Sequence, residues 1–456
     1  MNNESRITDI VDFNPPRKLK KGQIAPFIDM AALPTNERDI VEITEKAFTG
    51  GAKFRNGDTL FARITPCLEN GKTGKVSNLS DEVIGHGSTE FIVMTAKDSE
   101  IDEDYVYYLA RLPEFRKFAQ MRMTGTSGRQ RVSWQDLAEF TFAFPEPEKR
   151  KAAGVFLKTI DDKIQLNTQT NQTLEQIAQA IYKSWFVDYE PTRAKVAVLA
   201  AGGSKADAET AAMTAISGKT ADALAALKQH DSARYQQLAD LAAAFPAVLT
   251  PTDDFGEIPA GWEISTIGES VETVGGATPS TKEESFWLNG DIHWTTPKDL
   301  SNLTDNILID TNKKITVQGL KKISSGLLPI NTVLMSSRAP VGYLTLTKIP
   351  VAINQGYIAI KPSEKLSCYY MVQWCHSNME EIKGRAIGTT FAEISKTNFR
   401  GMKIVVPPKF VLAAYNNIIE PIYDRITSNN YESKQLANTR DLLLPKLLSN
   451  EILQTI

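Results

Sequence analysis

A glycine-rich loop near residue 130 carries the residue types that contact nucleic acid. It runs Thr124-Gly125-Thr126-Ser127-Gly128-Arg129-Gln130-Arg131. Arginine and glutamine can each form two hydrogen bonds with a guanine or adenine edge, while glycine and small hydroxyl residues let backbone amides approach phosphates. The loop therefore predicts DNA contacts from Ser127, Arg129, Gln130 and Arg131. A solvated charged loop is the alternative interpretation.

Further candidates for DNA contact lie near the start of the chain and in its second half. The loop at residues 388–393 keeps the Gly-Thr start of the first loop but lacks its arginines, so it predicts that a different base sequence is recognised. Arg63 is the approximate counterpart of Arg338, two places out of register. The candidates outside the first loop are Arg17, Lys20, Arg63, Lys298, Ser336, Arg338, Asn354, Gln355, Thr389 and Thr390.

One short motif could support methylation of a base. Asn14-Pro15-Pro16-Arg17 resembles the Asn-Pro-Pro-aromatic loop of adenine methyltransferases, although Arg17 occupies the place of the aromatic residue. No glycine-rich methyl-donor motif follows a strand nearby. An adenine DNA methyltransferase stays open as an alternative function.

Other patterns of catalytic or metal-binding proteins are incomplete. Gly71-Lys72-Thr73 and Gly218-Lys219-Thr220 lack the glycine that a phosphate loop needs five places earlier, where Pro66 and Met213 stand. The cysteines and histidines lack the paired close spacing of a zinc site. The sequence therefore predicts no catalytic site and no metal site, and it favours a binding protein.

The elements that position these loops occur twice. Residues 132–186 align without a gap with residues 394–448, so that Ser133 meets Ser395 and Pro145 meets Pro407. In each copy a stretch of short strands and turns precedes this segment, and Asn331–Met335 echoes Asp58–Ala62. Two copies of one module present two similar surfaces related by an approximate twofold.

Each copy ends in a heptad pattern. Apolar residues recur at alternating steps of four and three, which predicts two long helices with coiled-coil seams. Pro421 and Pro445 are expected to kink or bound the second helix. The seam residues are Leu157, Ile160, Ile164, Asn167, Leu174 and Ile181 in the first copy, and Ile419, Ile422, Ile426, Asn429, Leu436 and Leu443 in the second.

Polar seam positions suggest a function for the helices. Asn167, Asn171, Asn429 and Ser433 would fix register and partner at a cost in stability, or would face solvent instead. The first helix, from 149 to 185, would be roughly 55 Å long at ~1.5 Å per residue. Two such helices, packed antiparallel, would separate two reading units by about sixteen base pairs at ~3.4 Å each.

Composition predicts where the protein is located, and the order of the segments predicts its fold class. The chain has 456 residues, a net charge of −3 and three cysteines. With no signal peptide and no long apolar run, we expect a cytoplasmic protein away from membranes. The predicted class is α/β (α+β): an α/β unit at 1–146, a helix at 147–190, an alanine-rich connector at 191–258, a second α/β unit at 259–407 and a second helix at 408–456. The connector is expected to be helical or partly flexible, with a hinge at residues 200–204.

Taken together, five segments in this order resemble the specificity subunit of type I restriction-modification systems. They are Gly57–Arg63, Gly125–Val132, Ile181–Phe186, Asn289–Trp294 and Leu443–Leu448. The resemblance implies two target-recognition domains, each followed by a long helix, and an asymmetric two-part target in double-stranded DNA. It also implies two modification subunits and, in the full complex, restriction subunits. S-adenosylmethionine, ATP and Mg would bind those partners, and none of them would bind this chain. A protein-protein scaffold is the remaining alternative.

Overall fold

The computed structural model describes residues 4–80, 82–301, 303–388 and 392–449. The chain divides into two compact units. Unit 1 consists of Met1–Asn167 and Glu432–Ile456, and unit 2 is Thr168–Tyr431. Each long helix contributes one part to each unit, whereas the sequence-based boundaries treat each helix as a segment of its own. No helix in the described ranges has the length and hydrophobicity needed to cross a membrane.

Unit 1 is a mixed α/β structure. Its helices are α1 (Ser99–Arg111), α2 (Pro113–Met121) and α3 (Trp134–Ala138), a 3₁₀ turn lies at Ile7–Asp9, and the first long helix is α4 (Pro147–Phe186). Its strands are β1 (Ser5–Arg6), β2 (Val11–Phe13), β3 (Ile24–Ile28), β4 (Thr44–Ala47), β5 (Ala52–Phe54), β6 (Thr59–Ala62), β7 (Thr73–Lys75), β8 (Gly85–Gly87), β9 (Phe91–Ala96) and β10 (Thr141–Phe142).

The strands of unit 1 form two four-stranded sheets and one pair. The orders are β2-β9-β6-β7 and β4-β3-β8-β5, and β1 pairs with β10. Strand β9 begins with four apolar residues and is buried on both faces, as expected for a central strand. Phe61 and Ile92 pack on one side of its sheet, in the cluster that includes α1, while Leu60 and Val93 pack on the other.

Unit 2 begins with the second part of α4 and a helical connector. The connector consists of α5 (Glu190–Ala200), α6 (Lys205–Ser217), α7 (Ala221–His230) and α8 (Ser232–Ala244). Its helices are fixed by local sequence signals: Ser204 and Asp207 form a capping box at the start of α6, and Gly218 ends that helix with φ 66°. The helical prediction is confirmed for α5 to α8, but residues 249–252 and 256–259, which the predicted connector included almost entirely, form a pair of strands. Residues 200–204 form a hydrogen-bonded turn between α5 and α6.

The rest of unit 2 repeats the mixed architecture of unit 1. Its strands are β11 (Leu249–Thr252), β12 (Gly256–Pro259), β13 (Glu263–Thr266), β14 (Thr273–Val274), β15 (Ile292–Thr295), β16 (Ile307–Leu308), β17 (Lys313–Ile315), β18 (Val333–Ser336), β19 (Leu344–Thr347), β20 (Ala352–Ile353), β21 (Tyr357–Ile360) and β22 (Lys403–Val406). Its helices are α9 (Ile267–Ser270), α10 (Pro297–Leu300), α11 (Val317–Leu320), α12 (Cys368–Ser377), α13 (Met379–Gly384), α14 (Lys396–Arg400) and α15 (Lys409–Leu448), and a 3₁₀ turn lies at Glu284–Phe286.

The sheets of the two units are related, although unit 2 has a five-stranded and a three-stranded sheet where unit 1 has two four-stranded sheets. In unit 2 the orders are β14-β21-β18-β19-β16 and β17-β15-β20, and β13 pairs with β22. Ala62 pairs with Phe91 in unit 1, and Ser336 pairs with Tyr357 in unit 2. Strand β18 therefore matches β6, and β21 matches β9.

This correspondence corrects the predicted alignment of the two copies. The turns before β6 and β18 place Gly57 at φ 86° and Asn331 at φ 62°, a left-handed conformation that glycine and asparagine tolerate best. Asn331 therefore matches Gly57 and not Asp58, so the predicted echo is wrong by one residue. In a strand, a one-residue shift reverses the face of every side chain.

The two long helices pack antiparallel within each unit. In unit 1, Asn167 on α4 donates from Nδ2 to Oγ of Ser433 on α15, at 3.2 Å. In unit 2, the rings of Tyr182 and Tyr415 lie 6.3 Å apart. The predicted seam residues are buried or half-buried, which confirms the coiled-coil pattern.

Helix α15 runs through both of its prolines. Pro421 and Pro445 lie inside Lys409–Leu448, so neither bounds the helix, and that part of the prediction is wrong. Tertiary packing of the seam outweighs the loss of a backbone donor at each proline. Ile419 near Pro421 and Leu448 near Pro445 are fully buried.

Candidate nucleic-acid interface

Three segments of unit 1 meet where β6 ends. The backbone N of Arg63 donates to the carbonyl of Glu90 at 3.0 Å, and the backbone N of Val132 donates to the carbonyl of Arg63 at 3.0 Å. A cis peptide bond joins Thr65 to Pro66 just after this point. We call this meeting point of residues 63–66, 88–90 and 124–132 the unit 1 junction.

The predicted arginine loop is held closed at its base. Thr124 and Arg131 exchange two backbone hydrogen bonds of 2.9 Å each. Gly125 and Gly128 adopt φ of 124° and 77°, conformations that side chains rarely tolerate. Ser127 and Arg129 are exposed at the tip of the loop, and Gln130 is half-buried.

A glutamate outside the predicted set controls the arginine at the end of this loop. Nε of Arg131 donates to both carboxylate oxygens of Glu90 at 2.9 Å, and Nη2 donates to Oε1 at 2.7 Å. These hydrogen bonds raise the pKa of Arg131 above its ordinary value. Sequence reasoning misses Glu90 because the partner of a residue at the start of a strand depends on the topology.

Unit 2 forms the same junction with different side chains. The backbone N of Ser337 donates to the carbonyl of Gly356 at 2.8 Å, and the backbone N of Ile394 donates to the carbonyl of Ser337 at 3.0 Å. A cis peptide bond again follows, between Ala339 and Pro340. Ser337 thus takes the place that Arg63 has in unit 1.

Arg63 and Arg338 are therefore one place out of register, and not two places as predicted. Arg338 corresponds to Ile64, one place further along the chain, because both precede the cis bond by the same number of residues. Nη1 of Arg338 lies 3.7 Å from Oε2 of Glu393, and Glu393 occupies the place of Arg131. Both junctions thus contain an arginine and a glutamate. The returning loop supplies the arginine in unit 1, Arg131, but the glutamate in unit 2, Glu393.

Several other candidates in unit 2 support the junction. Ser336 is buried, donates from Oγ to the carbonyl of Pro340 at 2.7 Å and accepts from the backbone N of Tyr343 at 2.8 Å. Asn354 Oδ1 accepts from the backbone N of Gly356 at 2.9 Å. These two side chains maintain the turn, so we leave them out of the proposed DNA surface.

The remaining candidates of unit 2 differ in accessibility. Lys298 and Gln355 are exposed, and the Gln355 side chain accepts a hydrogen bond of 2.7 Å from Thr278 Oγ1. Thr389 and Thr390 lie outside the described residues.

Arg17 lies inside unit 1 and not on its surface. Its side chain is 8% exposed, and Nη1 lies 2.6 Å from Oδ2 of Asp58. Nη2 also donates to Oγ1 of Thr95 at 3.1 Å. Burial raises the pKa of Asp58, although the Arg17 charge opposes that shift. Since this guanidinium neutralises a buried carboxylate, we remove Arg17 from the proposed DNA surface, while Lys20 is exposed and stays in it.

The Asn-Pro-Pro motif also has a structural function. The side-chain Oδ1 of Asn14 accepts from the backbone N of Val93 at 2.9 Å, and the backbone N of Asn14 donates to the carbonyl of Val93 at 2.8 Å. Asn14 thus continues the pairing of β2 with β9. Its amide oxygen is thus engaged by the sheet.

Polar seam residues connect the long helices to the sheet region of unit 2. Asn171 donates from Nδ2 to Oδ2 of Asp305 at 2.9 Å, and Asn429 donates from Nδ2 to Oδ1 of Asn171 at 2.8 Å. Burial raises the pKa of Asp305. Asn167, Asn171 and Asn429 are each 2% exposed, so the alternative that they face solvent is wrong.

Comparison with known proteins identifies the family of the chain that contains these two junctions. A family model for the type I restriction modification DNA specificity domain matches residues 2–176 and 259–436. The chain belongs to this family. It is a DNA sequence-specificity subunit of a type I restriction-modification system. The two matched ranges include both junctions and most of both long helices.

Individual relatives agree with this assignment. The specificity subunit is 33% identical over 437 residues to the type I restriction enzyme HindI specificity subunit of Haemophilus influenzae, covering 93% of this chain and 94% of the relative. It is 34% identical over 179 residues to the MjaIX specificity subunit of Methanocaldococcus jannaschii, covering 37% of this chain and 40% of the relative. The fold is similar to that of a type I restriction-modification S subunit from M. genitalium, with a TM-score of 0.52 at 14% identity over 98% and 96% of the two chains.

Proposed function

We propose that the specificity subunit recognises a two-part, asymmetric target in double-stranded DNA. Each junction contacts one half of the target, and the two long helices set the length of the spacer. The candidate contacts are Lys20, Arg63, Ser127, Arg129, Gln130 and Arg131 in unit 1, and Lys298, Arg338 and Gln355 in unit 2.

One observation carries this proposal. The same backbone frame, a strand end followed by a cis-proline turn and a returning loop, occurs in both units with different side chains. Base edges are distinguished by the donors and acceptors that face them. One frame with two sets of side chains is therefore suited to two different half-targets.

We further propose that the chain performs no catalysis of its own. The engaged amide of Asn14 and the buried Arg17 argue against a methylating Asn-Pro-Pro loop. Modification subunits, two in each complex, would supply S-adenosylmethionine and the methyl transfer. Restriction subunits with ATP and Mg would complete the assembly, and the complex would act in the cytoplasm on DNA.

Exposed apolar side chains on the long helices support partner binding. Phe156 and Leu166 on α4 are 49% and 55% exposed, and Phe410 and Leu442 on α15 are 55% and 71% exposed. Large apolar residues on helices that already bury a seam favour a further protein partner. Tyr182 on α4, by contrast, lies in the buried aromatic cluster with Phe186 and Tyr370.

The test is selection from a random duplex library. The full chain, assembled with the modification subunit of its own system, should enrich two short motifs at one fixed spacing. Binding should weaken steeply with salt, because lysine and arginine contacts to phosphates release counterions. One contiguous motif, or enrichment without any motif, would contradict the proposal.

A further inference from the structure

The Arg131 side chain in the unit 1 junction has unused hydrogen-bond donors. A guanidinium has five N–H groups. Within the described ranges, Nε and one N–H of Nη2 contact Glu90, and one N–H of Nη1 contacts the carbonyl of Arg129 at 3.1 Å. One N–H is left on each of the two terminal nitrogens. Two such donors match the N7 and O6 acceptors of guanine.

The exposed fractions of the two side chains show that Arg131 lies on the solvent side of the pair and Glu90 on the inner side. Arg131 is 41% exposed, whereas Glu90 is 22% exposed. Glu90 therefore lies behind the guanidinium and fixes its plane from the inner side, through hydrogen bonds of 2.7 Å to 2.9 Å. A flexible arginine that is held in this way loses less freedom when it binds a base.

A neighbouring arginine adds positive charge to the same junction. In the part of the chain that the structure describes, the buried Nε of Arg63 has no hydrogen-bond partner. The backbone of Arg63 bonds to Glu90 on one side and to Val132 on the other. The negative charge of Glu90 weakens the attraction of this surface for phosphates. General DNA binding therefore does not explain a glutamate at this position.

Unit 2 shows that the arginine and glutamate can be arranged differently. Gly356 takes the place of Glu90, and a Cβ atom there would lie 3.0 Å from Cγ of Pro297. A glutamate fits poorly at that position. The arginine and the carboxylate come instead from Arg338 and Glu393, which are 38% and 46% exposed. The position of the arginine within the junction, rather than its presence, thus differs between the two units.

We infer that Arg131 recognises a guanine in the half-target of unit 1, and that Glu90 is the positioning residue that presents it. This inference rests on the proposed function. Arg131 would touch the base, and Glu90 would act only through Arg131. If Glu90 served merely to fasten the loop to the sheet, its removal would weaken binding to every sequence alike.

The experiment compares variants of the full chain in complex with its modification subunit, using the random duplex library. Arg131→Ala should reduce the preference for guanine at one position of one half-target by about tenfold or more. Glu90→Ala should weaken the preference at the same position and leave the other half-target unchanged. Glu90→Gln, which keeps an acceptor, should fall between wild type and Glu90→Ala. Glu139→Ala is the matched control, because Glu139 is an exposed partner of Arg6 in the same unit.

A second measurement separates positioning from a structural tie. Binding to a duplex without the motif, at low salt, should be equal or tighter for Glu90→Ala, since a negative charge has been removed. Weaker binding to all duplexes together with a lower melting temperature would overturn the inference. So would unchanged base preferences in Glu90→Ala while the wild type gives a two-part motif. A wild-type complex that enriches no two-part motif would overturn both the inference and the proposed function.

Discussion

Arg440 on α15 and Asp161 on α4 form a buried ion pair in unit 1. Nη1 of Arg440 lies 2.5 Å from Oδ1 of Asp161, and both side chains are 5% exposed. The other carboxylate oxygen of Asp161 accepts from the hydroxyl of Tyr108 on α1 at 2.6 Å. Burial lowers the pKa of Arg440, but the charges and hydrogen bonds of Asp161 and Asp441 together outweigh that effect and raise it. One ion pair thus joins both long helices to the recognition domain of unit 1.

Replacing Arg440 with methionine should destabilise unit 1 strongly. The substitution leaves the Asp161 carboxylate buried without its counterion, which typically costs about 3–5 kcal/mol. Hydrogen exchange of the full chain should show the loss of protection in unit 1. Arg6→Met, which removes an exposed pair with Glu139, should have little effect. Equal stability of Arg440→Met and wild type would show that the ion pair does not secure the helices.

Glu175 should make the stability of unit 2 depend on pH. Its Oε1 accepts from the backbone N of Asn306 at 2.7 Å, and burial, with a further contribution from Asp305, raises its pKa to about 7. The folded protein therefore keeps a proton on Glu175 at pH values where the unfolded chain, near its ordinary pKa of 4.5, has lost it. The folded state binds more protons, so stability falls as pH rises between about 4.5 and 7.

The variant Glu175→Gln isolates this contribution. Glutamine cannot ionise. The free energy of unfolding of wild type should fall by at most about 3 kcal/mol between pH 4.5 and 7 because of Glu175, and the variant should lack this decrease. Denaturant unfolding at a series of pH values measures it. Parallel pH profiles for the two proteins would rule out Glu175 as the responsible group.

Arg17 and Lys20 should respond differently to substitution, although the sequence places them together. Arg17→Met removes the counterion of the buried Asp58 and should lower the melting temperature of unit 1. Lys20→Ala should leave the melting temperature unchanged and reduce the salt dependence of DNA binding by roughly one counterion. Thermal unfolding and binding at several salt concentrations test the two variants. A stable Arg17→Met protein with weakened DNA binding would return Arg17 to the DNA surface.

Lengthening both long helices by one heptad should lengthen the DNA spacer. The insertions fall at the unit boundaries, after Asn167 in α4 and after Tyr431 in α15, and so leave the contacts within each unit intact. Seven residues at ~1.5 Å each add about 10 Å, or roughly three base pairs. Selection from the random duplex library measures the spacer. An insertion in α4 alone is the control and should impair binding without yielding a new spacer, and an unchanged spacer with both insertions would show that the helices do not set it.

Repetition and periodicity made much of the fold predictable. The heptad steps through Leu157 and Ile426 predict long helices because burial of one helical face requires that spacing. The strand β9 is predictable because a continuous apolar run marks a buried strand. The alignment of β6 with β18 was predicted one residue out of register, because Gly57 and Asp58 both suit a turn as the counterpart of Asn331 and only the backbone pairing distinguishes them.

The sequence by itself determined the duplicated plan, the paired helices and the family of the chain, since these follow from local patterns repeated along it. Only the tertiary structure decided which charged residues serve DNA and which serve the core. Arg17 and Arg131 are the same residue type in basic segments, yet one neutralises the buried Asp58 and the other is held half-exposed by Glu90. Those partners lie far away in the sequence, and the electrostatic environment of an arginine depends on distance in space.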